Sequence, residues 1–332
     1  MTGRELADRL DARQRRTPPA AFALAVQRKF SSDRGSRLAA VLAYYAFLSI
    51  FPALLVLVTV LGYLLTSHGD LRRQLLDSAL AQFPVIGSTL RDQSQLRPLR
   101  GNVVAFVVGV AGALWSGMRA MQIAQDAMND VWDVALRDRP GFVHKRIRAA
   151  LMLALVGTAL VLTVVLANVA ALLPVFWLAR VVLLLATAVA NIAAFSLAFQ
   201  ILTVNRLRWR DVMPGAVLAG IGWLGVQLLG TWFVTRVVKG ASDVYGTFAT
   251  VIGFLTLFFV QAQLTLWAAE VNVVRSRRLW PRSLTGRNLT DADRRALLDE
   301  AASSVRHVGQ HVSVRFDGDA SAVERTTSPT SR

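Results

Sequence analysis

The sequence has no cysteine. That absence removes disulfides, thiolate nucleophiles and Cys-ligated metals, although it does not identify a compartment. Acidic residues are scarce beside basic ones, 21 against 37, for a formal net charge of +16. There is no Gly-x-Ser-x-Gly, no phosphate-cradling loop with a lysine and no Cys/His set, so acyl transfer, nucleotide hydrolysis and zinc chemistry lack their usual starting points. Residues 1–20 are polar and charged, without the apolar core of a cleavable leader. Finally, Asp, Glu, Lys, Arg and His are missing altogether from six long runs.

Those runs are Leu38 to Leu65, Gly101 to Met118, Ala149 to Leu173, Val181 to Val204, Val212 to Thr235 and Gly246 to Ala269. The first is 28 residues long, whereas about 20 helical residues at about 1.5 Å each cross a bilayer core of about 30 Å. Backbone amides must be satisfied internally in hydrocarbon, and unbroken apolar runs exclude the alternation of barrel strands. The expected fold class is therefore all-α, a polytopic bundle of six transmembrane helices with short amphipathic helices at the interface. Residues 1–36 form a basic cytoplasmic N-terminal tail, 37–275 the membrane domain, and 276–332 a cytoplasmic C-terminal tail, disordered after about 303.

The distribution of charge sets the expected orientation. Of the 37 Lys and Arg residues, 29 lie in the two tails and in the loops after the second and fourth runs. By the positive-inside tendency both termini face the cytoplasm, with no nucleic acid needed to explain the basic composition. The expected partners are membrane lipids, with anionic head groups drawn to the cytoplasmic face at about 1 kcal/mol per well-placed cation. Tyr44, Tyr45, Tyr63, Trp115, Trp177, Trp209, Trp232 and Trp267 fall near predicted boundaries, as aromatic belts do.

Two stretches outside the runs have helical spacing. Leu71 to Leu90 is amphipathic up to Pro84, and Arg119 to Leu136 carries Met121, Ala124, Met128, Val131, Trp132 and Ala135 on one side. The second is expected to continue the second span along the cytoplasmic surface. Thr290 with Asp293 three residues later predicts the N-terminus of a short helix.

In order and spacing, Leu42-Ala43-Tyr44-Tyr45, Ser49-Ile50-Phe51-Pro52, Trp115-Ser116, Asn129, Trp132, Arg208-Trp209, Met213-Pro214-Gly215-Ala216, Tyr245-Gly246 and Ala269-Glu270-Val271-Asn272 resemble the YihY/BrkB family of bacterial inner-membrane proteins, some once described as ribonuclease BN. The resemblance spans about residues 30 to 278. It implies a six-helix inner-membrane protein, with family names pointing to virulence, to a discredited ribonuclease and to envelope-lipid export. Ala268 departs from the pattern, where glycine is expected, a change that would restrict close backbone approach.

Candidate functional residues follow from chemistry. Pro52 should kink the first span and free the Leu48 carbonyl beside the Ser49 hydroxyl and Tyr45; a static kink is the plainer alternative. The amides Asn168, Asn191, Gln200, Gln227, Gln261 and Gln263 could line a substrate path or serve as interhelical glue. Within this set the path is drawn through Tyr45, Ser49, Pro52, Asn191, Gln227, Gln261 and Gln263. Glu270, where the sixth run ends, is a candidate cytoplasmic gate or head-group contact, or else an ion-pair partner of Arg275, Arg277 or Arg278. Gly215, Gly220 and Gly222 are read as helix-packing residues, and the same small side chains would suit contact between protomers of a homo-oligomer.

A hydrolytic centre would draw on Asp126, Asp130 and Asp133, spaced to share one helix face, yet nearby arginines make a solvated acidic face the plainer reading. His307 and His311 lack the glutamate of a zinc helix. No catalytic residue, metal or cofactor is expected. The leading functional reading is a transporter or flippase-like exporter of envelope lipid or another amphiphile, followed by a non-catalytic membrane scaffold, with a ribonuclease a distant third.

Overall fold

The computed structural model describes residues 3–64, 103–172, 177–204, 207–233, 247–286, 289–307 and 309–316. Side chains are not described at 3–8, 10, 51–64, 103–106, 109, 159–172, 177–181, 183, 184, 228, 229, 231–233, 247, 249 and 250. The expectations for Leu71 to Leu90, Tyr245-Gly246 and residues 317–332, and for the side chains of Pro52, Tyr63, Asn168, Trp177 and Trp232, therefore lie outside the described residues and side chains.

Every regular element among the described residues is helical. Two helices precede the first apolar run: α1 (Gly3–Arg16) and α2 (Pro18–Ser32), the latter entered through Thr17 with proline at the start, where its missing N–H is no loss. The residues expected as a basic tail are thus helical. Six long helices come next: α3 (Gly35–Leu64), α4 (Val103–Val131), α5 (Phe142–Leu172), α6 (Trp177–Leu202), α7 (Trp209–Phe233) and α8 (Thr247–Ser276). Last comes α9 (Asp291–Ser303), where Thr290 and Asp293 form the expected capping box.

Each long helix packs on the next, and α8 closes on α3, so α3 to α8 form a ring. Helices of 25 to 31 residues are about 37–46 Å long, more than the hydrocarbon depth of about 30 Å, so the ring is long enough to project beyond a bilayer. Among the described residues, two stretches meet the length and hydropathy needed to cross a membrane, Leu185–Leu202 and Val251–Ser276, and Gly35–Ile50 is a shorter apolar helix. Only 17% and 22% of those two stretches is buried. A helix in a water-soluble core would hide its apolar side chains; here Leu185, Val189, Ile221, Phe248 and Ile252 are exposed.

The described core is concentrated at one end of the ring. It joins Ala25, Val26 and Phe30 of α2, Ala39 of α3, Met128 and Val131 of α4, Met152 of α5, Phe199 and Leu202 of α6, Val212 and Ala216 of α7, and Leu266, Val273 and Val274 of α8. These are the starts of α3, α5 and α7 and the ends of α4, α6 and α8. The continuation of the second run is correctly expected as helix, but Met128, Val131 and Trp132 are buried in this core and do not simply lie along a surface.

Two glycines permit the close approaches. At the α2–α3 corner, Arg34 is left-handed with φ 55°, and a Cβ on Gly35 would fall 2.3 Å from the Phe30 ring. On α7, a Cβ on Gly215 would fall 2.1 Å from the Ala268 carbonyl oxygen and 2.4 Å from Asn272 Nδ2. Ala268, fully buried, does not hold the helices apart, since the room is made on the Gly215 side. Gly220 is less tightly placed, its Cβ position 2.9 Å from Ile192 Cγ1 of α6, and Gly222 makes ordinary contact with Leu264.

Gly215→Ala should cost about 3 kcal/mol through overpacking against α8. Gly225→Ala, where a Cβ meets nothing within 4 Å, should be neutral or stabilise by about 0.5–1 kcal/mol through helix propensity. Thermal unfolding of the two variants in detergent distinguishes them.

Candidate functional site

At the core end, α2, α4 and α8 converge on buried charge. Lys29, only 4% exposed, follows Ala21 and Ala25 at helical spacing, so its position on α2 faces inward. Its ammonium donates to Asp33, to Asp133 Oδ1 at 3.1 Å and to the Val131 carbonyl at 3.2 Å. Burial opposes the charge on Lys29, but Glu270, Asp133 and Asp33 together hold its pKa above the ordinary lysine value. Burial pushes the Asp33 carboxyl above its usual range, against the pull of Lys29.

Asp133 is placed by the end of α4. It is left-handed, φ 48°, with its N–H on the Asp130 carbonyl and the Val134 N–H on the Asn129 carbonyl. This is a Schellman ending with aspartate where glycine is usual. The carboxylate so turned meets Lys29 on one oxygen and Arg277 Nη1 on the other, at 2.9 Å. Arg277 also reaches Asp299 of α9 at 3.2 Å and the Trp132 carbonyl.

Glu270 has no exposed surface. Its electrostatic neighbours are Lys29, Asp33 and Asp133, with the Asp33 carboxyl within hydrogen-bonding reach. The expected pairing with a nearby arginine is replaced: Arg277 is engaged by Asp133 and Asp299. No N–H or O–H donates to either oxygen of Glu270.

One turn away, two segments of the resemblance meet. Asn272 Oδ1 accepts from the Gly215 N–H at 2.6 Å, an amide just after Pro214, where the α7 ladder is interrupted. Asn129 Oδ1 likewise accepts from the Val204 N–H at 3.1 Å, tying the end of α4 to the end of α6.

The terminal segments close over this end. Asp11 of α1 accepts from the Leu284 N–H at 2.7 Å, and Gln14 donates to the Arg282 carbonyl at 2.8 Å. Burial disfavours the charge on Asp293, but the N–H groups of Ser283 and Thr290 and the Arg282 guanidinium outweigh it and hold its pKa below the usual range.

The other expected site residues are dispersed. Ser49 donates to the Tyr45 carbonyl at 2.7 Å, not to that of Leu48, and α3 runs helical through residue 52. Gln261 pairs with Thr265 within α8 at 3.2 Å, whereas Gln263 reaches Ser36 of α3 at 3.3 Å. Asn191 is half-buried and Gln227 exposed. Asp126, Asp130 and Asp133 do not converge: they pair respectively with Lys145 at 2.7 Å, Arg139 at 2.6 Å and the Lys29–Arg277 pair. Among the described residues no group of three His, Cys, Asp or Glu side chains is placed to hold a metal ion.

Sequence reasoning missed Lys29 and Asp33. The available signal was a lysine on the apolar face of α2, at Ala21, Ala25 and Lys29, with an acid one turn beyond.

Among the described residues, an all-helical ring with exposed apolar flanks has the build of a membrane protein. The family described as virulence factor BrkB matches residues 26–291, and the chain belongs to that family. The inner membrane protein YhjD of Escherichia coli (strain K12) is 27% identical over 274 residues, covering 76% of this chain and 80% of YhjD. YfkH of Bacillus subtilis (strain 168), whose name describes it as ribonuclease-like, is 28% identical over 278 residues, covering 75% of this chain and 93% of its own length. No solved structure matches.

Lys29→Met should destabilise the protein by about 3–5 kcal/mol, because it leaves carboxylates buried without their cation. Adding Glu270→Gln should restore more than half of that loss. Denaturant titration of the single and double variants in detergent measures the coupling.

Proposed function

We propose that this protein resides in the bacterial inner membrane as six spans with both termini cytoplasmic, and that it carries an amphiphile, an envelope lipid or a molecule like one, across that membrane. The observation that supports this most is the occurrence of exposed apolar helix flanks together with half-buried, uncharged polar side chains dispersed along the helices, Ser49, Asn191, Gln261 and Gln263. Such side chains suit a cargo whose body is apolar, because they offer hydrogen bonds without the desolvation of a full charge. The inner-membrane name of the Escherichia coli relative and the positive-inside distribution support the location. A hydrolytic reading lacks support, since its three aspartates are committed to separate cations.

A scaffold is the second reading, favoured by the dense packing where the terminal segments close over the ring. Purified protein in vesicles separates the two. With a head-group-labelled phospholipid and an impermeant quencher, transport predicts that label from the inner leaflet becomes quenchable well above the rate in protein-free vesicles. It also predicts that Asn191→Leu with Gln227→Leu slows that movement at least several-fold. A rate equal to that of protein-free vesicles overturns transport.

Orientation is checked independently. Protease-sensitive tags at either terminus should be cleaved in inverted inner-membrane vesicles and protected in intact spheroplasts; cleavage in spheroplasts overturns the assigned topology.

A further inference from the structure

Glu270 is wholly buried, carries no hydrogen-bond donor on either oxygen, and faces the Asp33 carboxyl. The charged groups around it come from α2, α4 and the segments that follow α8: Lys29 and Asp33 at the end of α2, Asp133 at the end of α4, Arg277 just past α8 and, beyond Arg277, Asp299 on α9. Within the buried cluster, the cations Lys29 and Arg277 meet the carboxyls of Asp33, Asp133 and Glu270. Lys29 is divided among Asp33, Asp133 and the field of Glu270, and Arg277 between Asp133 and Asp299, so carboxyls outnumber cations. Full ionisation would leave uncompensated negative charge in a closed core, which protonation lessens.

We propose that Asp33 and Glu270 form a proton-binding site, holding a single proton between them, and that this shared proton fastens α2 to α8. The bond is O–H···O⁻: one carboxyl donates, the other accepts and keeps its ion pair with Lys29. When the proton leaves to water, two like charges face each other across the α2–α8 seam and the contact weakens. The proposal does not depend on transport.

The test uses the full-length protein in detergent. Infrared difference spectroscopy at neutral pH should show the carbonyl stretch of a protonated carboxyl. Charge balance predicts that Glu270→Gln and Asp33→Asn each abolish it, because the remaining carboxyl no longer faces a second one, keeps the field of Lys29 and ionises. An absent band in the wild type, or one that survives either substitution, overturns the proposal.

A second measurement needs only one conservative variant. The shared proton is bound in the folded protein and absent from the unfolded chain, whose carboxyls ionise at roughly pH 4. Stability should therefore fall as pH rises from there until the proton leaves, approaching tenfold in the unfolding equilibrium constant per pH unit. Glu270→Gln should remove that slope. Equal slopes in both proteins overturn the proposal.

Discussion

The charged end is organised around the Lys29 ammonium, enclosed where α2, α4 and α8 meet. A cation taken out of water is tolerable only with good partners, and here they come from three elements: Asp33 at its own helix end, Asp133 on α4 and the field of Glu270 on α8. Each partner depends on another local choice. Asp33 requires the tight corner made by left-handed Arg34 and by Gly35 beneath the Phe30 ring. Asp133 requires a helix ending that a non-glycine residue adopts only at some expense of backbone energy. An ion pair need not add net stability, but it makes wrong registers between these helices costly, because each would leave a charge buried alone.

What holds helices together depends on the solvent around them. In water, burying Met128, Phe199 or Leu266 gains from the hydrophobic effect; in lipid, side chain and solvent are equally apolar, and association rests on close packing of small residues and on polar contacts. The α7–α8 seam combines close packing with a polar contact. Gly215 lets α7 approach the Ala268 carbonyl, and Asn272 takes the amide that follows Pro214, so one close approach satisfies both packing and hydrogen bonding.

Much of this architecture was legible in the sequence, and the limits are specific. Long charge-free runs announce helices because hydrocarbon admits little else, and Thr290 with Asp293 announces a cap because its hydrogen bonds are local. The helical nature of residues 3–32 was harder to see: basic side chains outside and alanine inside read as a tail unless the surface that α2 covers is known. Glu270 stood out as an acid at the end of an apolar run, yet its neighbours in sequence, Arg275, Arg277 and Arg278, pointed to the wrong partner. Helix geometry places residues three or four positions apart on one face, so Arg277 at seven faces the same side two turns on and is captured there by Asp133 and Asp299. The cation that Glu270 feels lies far upstream, and a pairing of that range leaves no periodic trace in a single sequence.

An asymmetric distribution of constraint bears on how such a ring could act. At the charged end the helices are joined by side-chain hydrogen bonds that cross elements: α2 to α4 through Lys29, α4 to α8 through Asp133 and Arg277, α4 to α6 through Asn129, and α7 to α8 through Asn272. Separating the helices there would break several buried polar contacts together, each with its own desolvation penalty. Along α8, Gln261 bonds within its own helix, Gln263 crosses to Ser36 of α3, and Gly222 makes only ordinary contact with Leu264. If the ring carries cargo as proposed, the movement that admits it would meet least resistance where fewer buried polar contacts cross between helices, with the charged end as the pivot. In that arrangement the residues that hold the pivot are those where α2 meets α8, and not the amides along the helices.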